Sequence, residues 1–195
     1  SMAALLLPEA DARAAIASSG FPGLEISAIN SPRSVTVSGP SDSIDAFARH
    51  ARANRWALRK LDIAYPFHSA LVDPIEAPLR DALGAIPSSP ARRAFFSSVH
   101  PDAETVTPDA TYWWDNVRQP VRFSQAVENM AGAGAGVVVE IGPRPLLATY
   151  LRDTLSAAGA SAAVVTSFDK PSEKLPTAEA LDPVAARIVV TSYVS

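Results

Sequence analysis

The sequence predicts an α/β fold in two differently built parts, and three observations carry that prediction. The first 63 residues break into short strand-like runs separated by two helical patterns. Residues 64–168 alternate strands with helices. Within them Gly136 to Ile141 is Val-rich and apolar, as a strand buried on both faces is. The chain has 195 residues, 48% of them hydrophobic, which is enough for a sizeable core and too apolar for a disordered chain.

Ala3 to Leu7 is an apolar run of strand length. Pro8 suits a first helical turn, and the Ala-rich stretch to Ser19 holds good helix formers. Gly20 and Pro22-Gly23 end it. Leu24 to Ile29 alternates apolar and polar residues, and Asn30-Ser31-Pro32-Arg33 has turn chemistry. Ser34 to Ser38 contains Val35, Thr36 and Val37, which favour a strand. Gly39-Pro40 breaks that strand. Ser41 is placed to cap a helix, with Ile44, Phe47, Ala48 and Ala51 at helical spacing. Trp56 to Ile63 alternates again. The order strand, helix, strand, strand, helix, strand is ferredoxin-like: an antiparallel sheet with two helices on one face.

Beyond Ser69 the pattern changes. Ser69 to Leu83 reads as a helix capped by Ser69 and broken or kinked by Pro74 and Pro78. Arg93 to Val99 reads as a strand, and Pro101 to Asp109 as a polar loop. Asp109 to Val117 and Phe123 to Gly132 read as helices. Pro145 to Ala157 is a further helix with Pro145 in its first turn. Ala162 to Val165 is a short strand. Strands alternating with helices imply part of a parallel α/β sheet. From Asp169 to Pro183 the chain turns polar and Pro-bearing, a linker by composition, and Asp182 to Val194 reads as a last helix or a helix followed by a strand.

Composition closes off several functions. The net charge is −3, so no global basic field exists to hold nucleic acid or an anionic membrane surface. Cysteine is absent, which excludes disulfides and thiol catalysis and fits the cytoplasm. No apolar run approaches the roughly 18 residues that span a bilayer, and the apolar start lacks the basic flank of a signal peptide.

The chemistry concentrates in three stretches. Tyr65-Pro66-Phe67-His68-Ser69 places a histidine where a strand gives way to a helix. Tyr112-Trp113-Trp114-Asp115-Asn116-Val117-Arg118-Gln119-Pro120-Val121-Arg122-Phe123 is a polar, Pro-punctuated segment able to hold a histidine. Val139-Glu140-Ile141-Gly142-Pro143 is a strand entering a Gly-Pro turn. Of the three histidines, His50 and His100 read as ordinary solvated residues. An imidazole held at His68 has the pKa range of a general base for a hydroxyl nucleophile.

In this order the stretches resemble the malonyl-CoA:acyl-carrier-protein transacylase family, in particular the acyltransferase domains of type I polyketide synthases. Asn30-Ser31-Pro32 with Val35-Thr36-Val37-Ser38-Gly39 is similar to the family's small subdomain. The resemblance covers roughly residues 1–168. It implies a ferredoxin-like small subdomain at 1–63, the C-terminal part of an α/β-hydrolase-like large subdomain at 64–168, and a post-acyltransferase linker at 169–195. It implies a serine that attacks an acyl-CoA thioester while His68 takes its proton, and transfer of the acyl group to the phosphopantetheine thiol of an acyl carrier protein. No cofactor or metal is implied in the domain itself.

The same resemblance implies that a backbone carbonyl, falling at Asn116, orients His68 through Nδ1 and leaves Nε2 free. Tyr65 and Phe67 belong to a quartet that tracks the acyl group in such synthases: His-Ala-Phe-His accompanies malonyl and Tyr-Ala-Ser-His methylmalonyl. Tyr65-Pro66-Phe67-His68 is a hybrid, and the Phe67 ring favours malonyl. Asn30 is placed to line the cleft. Arg33, Arg118 and Arg122 are candidates for contact with the carrier or CoA phosphates. Trp113, Trp114 and Phe123 read as packing residues, and Glu140 as structural.

One departure stands out: the family's Gly-His-Ser-x-Gly serine is missing, since no Gly-x-Ser-x-Gly occurs here. The expected partners are therefore an N-terminal half that carries the serine, the carrier protein and neighbouring synthase domains. The alternative is a non-catalytic scaffold that binds a carrier protein or linker. A third reading, an unrelated hydrolase fragment, needs an acidic partner near His68 that the sequence does not offer.

Overall fold

The first sixty residues form β1 (Met2–Leu5), α1 (Glu9–Ser19), β2 (Glu25–Ser31), β3 (Ser34–Ser38), α2 (Ser41–Ala53) and β4 (Leu58–Lys60). These come from a computed structural model that describes residues 1–84 and 86–167; the expected linker and final segment lie outside the described residues. The sheet runs in the order β4-β1-β3-β2, every neighbour antiparallel. β5 (Val121–Arg122) extends it, parallel to β2 through Ala28↔Val121 and Ile29↔Arg122. Alternate strand positions Ala3, Leu5, Val35 and Val37 join Ala12 and Ala15 of α1 and Ile44 and Phe47 of α2 in one buried cluster. Both helices therefore cover one face of the sheet, as period-2 strands and period-3.6 helices dictate.

Several boundaries differ from expectation, each for a local reason. Pro8 and Pro40 precede their helices with extended ψ of 154° and 142°. Ser41 is thus the first helical residue and makes no side-chain cap. Gly20 closes α1 with a φ of 70°, a conformation that costs glycine nothing. β2 continues through Asn30 and Ser31, so the hairpin turn is only Pro32-Arg33. At Gly39 a Cβ would lie 2.7 Å from the Gly23 carbonyl oxygen, so only glycine allows the two loops to approach.

The 61–122 stretch is more irregular. The helix expected over Ser69 to Leu83 is divided into a 3-10 helix, Ala70–Ile75, which contains Pro74, and α3, Glu76–Leu83. Pro78 falls in the first turn of α3, where its missing N–H leaves no bond unmade. α4 spans Ala110–Arg118, and the Asp109 carboxylate accepts the Tyr112 N–H at 2.8 Å as its N-cap. The strand expected at Arg93 to Val99 does not form. Ser97 Oγ accepts the N–H groups of Val99 and His100, and such local bonds compete with a ladder.

Contacts divide the chain into two compact units, Ser1–Ala126 and Val127–Ser195. α5 spans Phe123–Gly132. The second unit holds β6 (Val137–Glu140), α6 (Ala148–Ala157) and β7 (Ala163–Thr166), with β6 parallel to β7. β6 is half-buried rather than buried on both faces, because β7 is its sole strand neighbour among the described residues. α6 begins three residues after Pro145. The Glu140 carboxylate accepts the N–H groups of Leu146 and Leu147 at 2.7 and 2.8 Å, which satisfies the helix entry. No described helix is long and apolar enough to cross a membrane.

Candidate active site

The site is built where the chain leaves the sheet region and doubles back to α4. His68 has a φ of 58°, a left-handed conformation that costs a non-glycine residue roughly 1–3 kcal/mol and persists only where the surroundings enforce it. They do so through two bonds. The His68 backbone N–H donates to Val117 O at 3.1 Å, one of the carbonyls that a helix C-terminus leaves unpaired. The His68 ring meets Gln119 O through Nδ1 at 2.8 Å. A carbonyl only accepts, so Nδ1 carries the proton and Nε2 of the neutral ring is the free acceptor.

Electrostatics agree with that role. Burial pushes the His68 imidazole below its ordinary value of 6.5, and the bond to Gln119 O only partly offsets this. Desolvation disfavours the cation, so the ring is neutral and able to take a proton near pH 7.

The orienting carbonyl is that of Gln119, not of Asn116. Asn116 lies inside α4, which runs to Arg118. Pro120 disfavours the helical conformation in the residue before it, and Gln119 turns extended with φ −77° and ψ 154°. Its carbonyl therefore leaves the helix and meets the imidazole. Gln119-Pro120 was the available signal, because a pre-proline residue ends a helix and frees its carbonyl.

The other expected site residues divide. Tyr65 and Phe67 are brought to the histidine: their rings lie 5.9 Å apart, and the Phe67 and His68 rings 6.4 Å apart. Both are exposed, an apolar wall open to solvent. Asn30 gives its amide N–H to Thr36 Oγ1 at 2.9 Å on the neighbouring strand, a bond within the sheet. Arg118 is tied to two carboxylates, through Nε to Asp73 Oδ1 at 2.5 Å and through Nη1 to Glu25 Oε2 at 3.3 Å. Arg122 holds β5 in place by donating its backbone N–H to Ser98 O at 2.6 Å. Trp114 is buried and Trp113 exposed.

Neither of the remaining histidines is merely solvated. His100 Nε2 meets Asp115 Oδ2 at 3.0 Å. His50 sits between Phe47, Phe21 and Trp56. Sequence reasoning also passed over Glu25 and Asp73, for which no local pattern marks a role. No group of three or more metal-ligating side chains occurs among the described residues.

Comparison with known proteins gives the arrangement a context. The family model described as acyl transferase domain matches residues 1–191. The chain is 38% identical over 147 residues to polyketide synthase GfsB of Streptomyces halstedii, covering 74% of this chain and 3% of that protein. It is 35% identical over 144 residues to erythronolide synthase EryA2 of Saccharopolyspora erythraea, covering 73% of this chain and 4% of that one. It thus spans only a few per cent of the length of either relative. Among solved structures, the acyltransferase domain from module 8 of the salinomycin polyketide synthase superimposes with a TM-score of 0.86 at 27% identity, covering 97% of this chain and 44% of that one. The acyltransferase domain of phenolphthiocerol/phthiocerol synthase A from Mycobacterium bovis (BCG) gives 0.80 at 28% identity, covering 87% and 66%.

Proposed function

This chain belongs to the acyl transferase domain family, and on that premise we propose that it is the base-bearing segment of a polyketide synthase acyltransferase, in which His68 activates a serine supplied from outside the sequence. The observation that carries this reading is the Nδ1 bond to Gln119 O at 2.8 Å. It leaves Nε2 of a neutral ring as the acceptor. A serine hydroxyl beside Nε2 would pass its proton there as Oγ attacks the acyl-CoA thioester. The C–S bond breaks, CoA leaves as the thiol with the proton from His68, and an acyl-serine ester remains. In the second half His68 takes the proton of a carrier-protein phosphopantetheine thiol, the sulfur attacks the acyl-serine carbonyl, the C–Oγ bond breaks, and the serine oxygen leaves with the proton from His68.

In this reading residues 1–63 are the ferredoxin-like small subdomain, 64–168 the C-terminal part of the α/β-hydrolase-like subdomain and 169–195 the linker to a neighbouring synthase domain. The acyl group is malonyl in preference to methylmalonyl. Support comes from the Phe67 ring, whose centroid lies 6.4 Å from that of His68, where it would crowd an α-branch on an acyl group held at the histidine. The domain works in the cytoplasm, with a carrier protein as its partner and no cofactor of its own.

The test is His68→Ala in an acyltransferase that joins this sequence to a serine-bearing segment, with acyl loading followed by intact mass after malonyl-CoA and methylmalonyl-CoA in turn. Loading should fall by about 10²–10⁴-fold with carrier binding unchanged. Lost binding with unaltered loading per bound complex would favour the scaffold reading instead.

A further inference from the structure

We propose that Glu25 is a positioning residue for His68, holding the imidazole to Gln119 O through the chain that follows the histidine; the proposal rests on the reading of His68 as the base. The Glu25 carboxylate makes two kinds of contact. Oε1 accepts the Ala70 backbone N–H at 2.7 Å. Ala70 is two residues beyond His68 and opens the 3-10 helix. Oε2 pairs with Arg118, the residue before Gln119, and Arg118 in turn pairs with Asp73 inside the same 3-10 helix. One carboxylate thus touches the chain just after the donor of the Nδ1 bond and the side chain just before its acceptor.

β2 extends this logic. Glu25 is its first residue, and the same strand pairs with β5 at Ala28↔Val121, two residues past Gln119. Both partners of the imidazole bond are therefore referenced to one strand of the buried sheet. The need for such a reference follows from His68 itself. A left-handed φ of 58° relaxes unless the backbone is held on both sides. The N-terminal side has Ser69 Oγ donating back to Pro66 O at 2.7 Å, and the C-terminal side has Glu25. Beside Glu25, Arg118 and Gln119 opens a groove of about 470 Å³, so water reaches the ion pairs and screens their contribution to stability. The consequence of losing Glu25 falls on ring geometry and tautomer.

The experiment compares Glu25→Ala, which removes both contacts, with Glu25→Gln, which keeps an oxygen for the Ala70 N–H. Imidazole ¹⁵N shifts of His68 in the full chain read the tautomer without any turnover. The unaltered protein should show one tautomer, with Nδ1 protonated. Glu25→Ala should show exchange between both, and Glu25→Gln should restore most of the original spectrum. In the acyltransferase joined to its serine-bearing segment, kcat should fall roughly ten- to hundredfold in Glu25→Ala with KM for acyl-CoA unchanged. An unaltered ring spectrum and kcat in a folded Glu25→Ala protein would overturn the proposal, as would equal loss of Tm in both variants with kcat per folded molecule intact. Should Glu25→Ala unfold, Glu25→Asp has too short a reach for both contacts. It must then show the same tautomer exchange, and an unaltered spectrum there overturns the proposal equally. A wild-type enzyme that holds one tautomer yet loads no acyl group would defeat the functional reading alone.

Discussion

Residues 2–60 and residues 61–122 lie in one compact unit and are held by different forces. In the first, Leu5, Val35, Val37, Ile44 and Phe47 are wholly buried, and the sheet ladder pairs strand with strand. In the second, few large side chains are buried; Val72, Val99, Val106, Tyr112 and Trp114 are the chief apolar ones. Individual polar bonds fix the chain instead: Ser69 to Pro66, Ala70 to Glu25, Tyr112 to Asp109 and His100 to Asp115. Apolar burial is non-directional and supplies stability. A hydrogen bond is directional and worth only about 1 kcal/mol net, but it sets where an atom points. The imidazole sits in the directional region and borrows its rigidity from the buried one through β2.

The sharpest test of this contrast is Phe47→Ala. It should cost about 3–5 kcal/mol of stability, measured by urea denaturation, with acyl loading per folded molecule unchanged in the joined enzyme. Loss of loading in folded molecules would show that core and site are not separable.

Next is the pH response of the site. Because burial lowers the folded His68 pKa below 6.5, the acid limb of loading should be centred below 6.5, with the rate falling about tenfold per pH unit below the folded value. The folded state binds fewer protons than the unfolded chain in that window. The stability His68 contributes is present above 6.5 and is lost as pH falls through the folded pKa. An acid limb centred at or above 6.5, or one that survives in His68→Ala, would contradict the desolvated base.

Asp109→Ala removes the N-cap of the helix whose far end carries Val117 and Gln119. It should cost about 1 kcal/mol, read as a lower midpoint in thermal melting. A loss too small to measure would mean that tertiary packing alone holds α4. The smallest effect belongs to Lys60→Ala. The Lys60–Asp45 pair at 2.6 Å is half-exposed on both sides, and such pairs contribute about 0–1 kcal/mol. A larger loss would mean that the pair is better shielded than its exposure indicates, and any loss of loading would tie this far edge of the sheet, and not β2 alone, to the site.

The two regions were also unequally legible. Over the first sixty residues, period-2 and period-3.6 patterns and the Gly and Pro breaks locate every element to within a few residues, because each pattern reports burial of a nearby face. That the segment from Tyr112 to Phe123 holds His68 was legible too, through its polar, Pro-punctuated composition. Asn116 as the orienting carbonyl was not, since which carbonyl leaves a helix depends on where that helix ends, and the decisive residue was Pro120. The strand expected at Arg93 to Val99 fails for a related reason. Apolar composition permits a strand, whereas a ladder needs a partner in register.

What the sequence by itself determined is the set of local preferences: the alternating core of β1–β4, the apolar faces of α1 and α2, the extended Gln119 before Pro120, and a chain with no thiol. What only the tertiary structure decided is the meeting of residues far apart in the chain. His68 and Gln119 lie 51 positions apart, and Glu25 lies 45 from Ala70 and 93 from Arg118. No local preference encodes such contacts. They arise when burial of the sheet brings β2 and β5 together and carries the polar groups at the strand ends into range of one another.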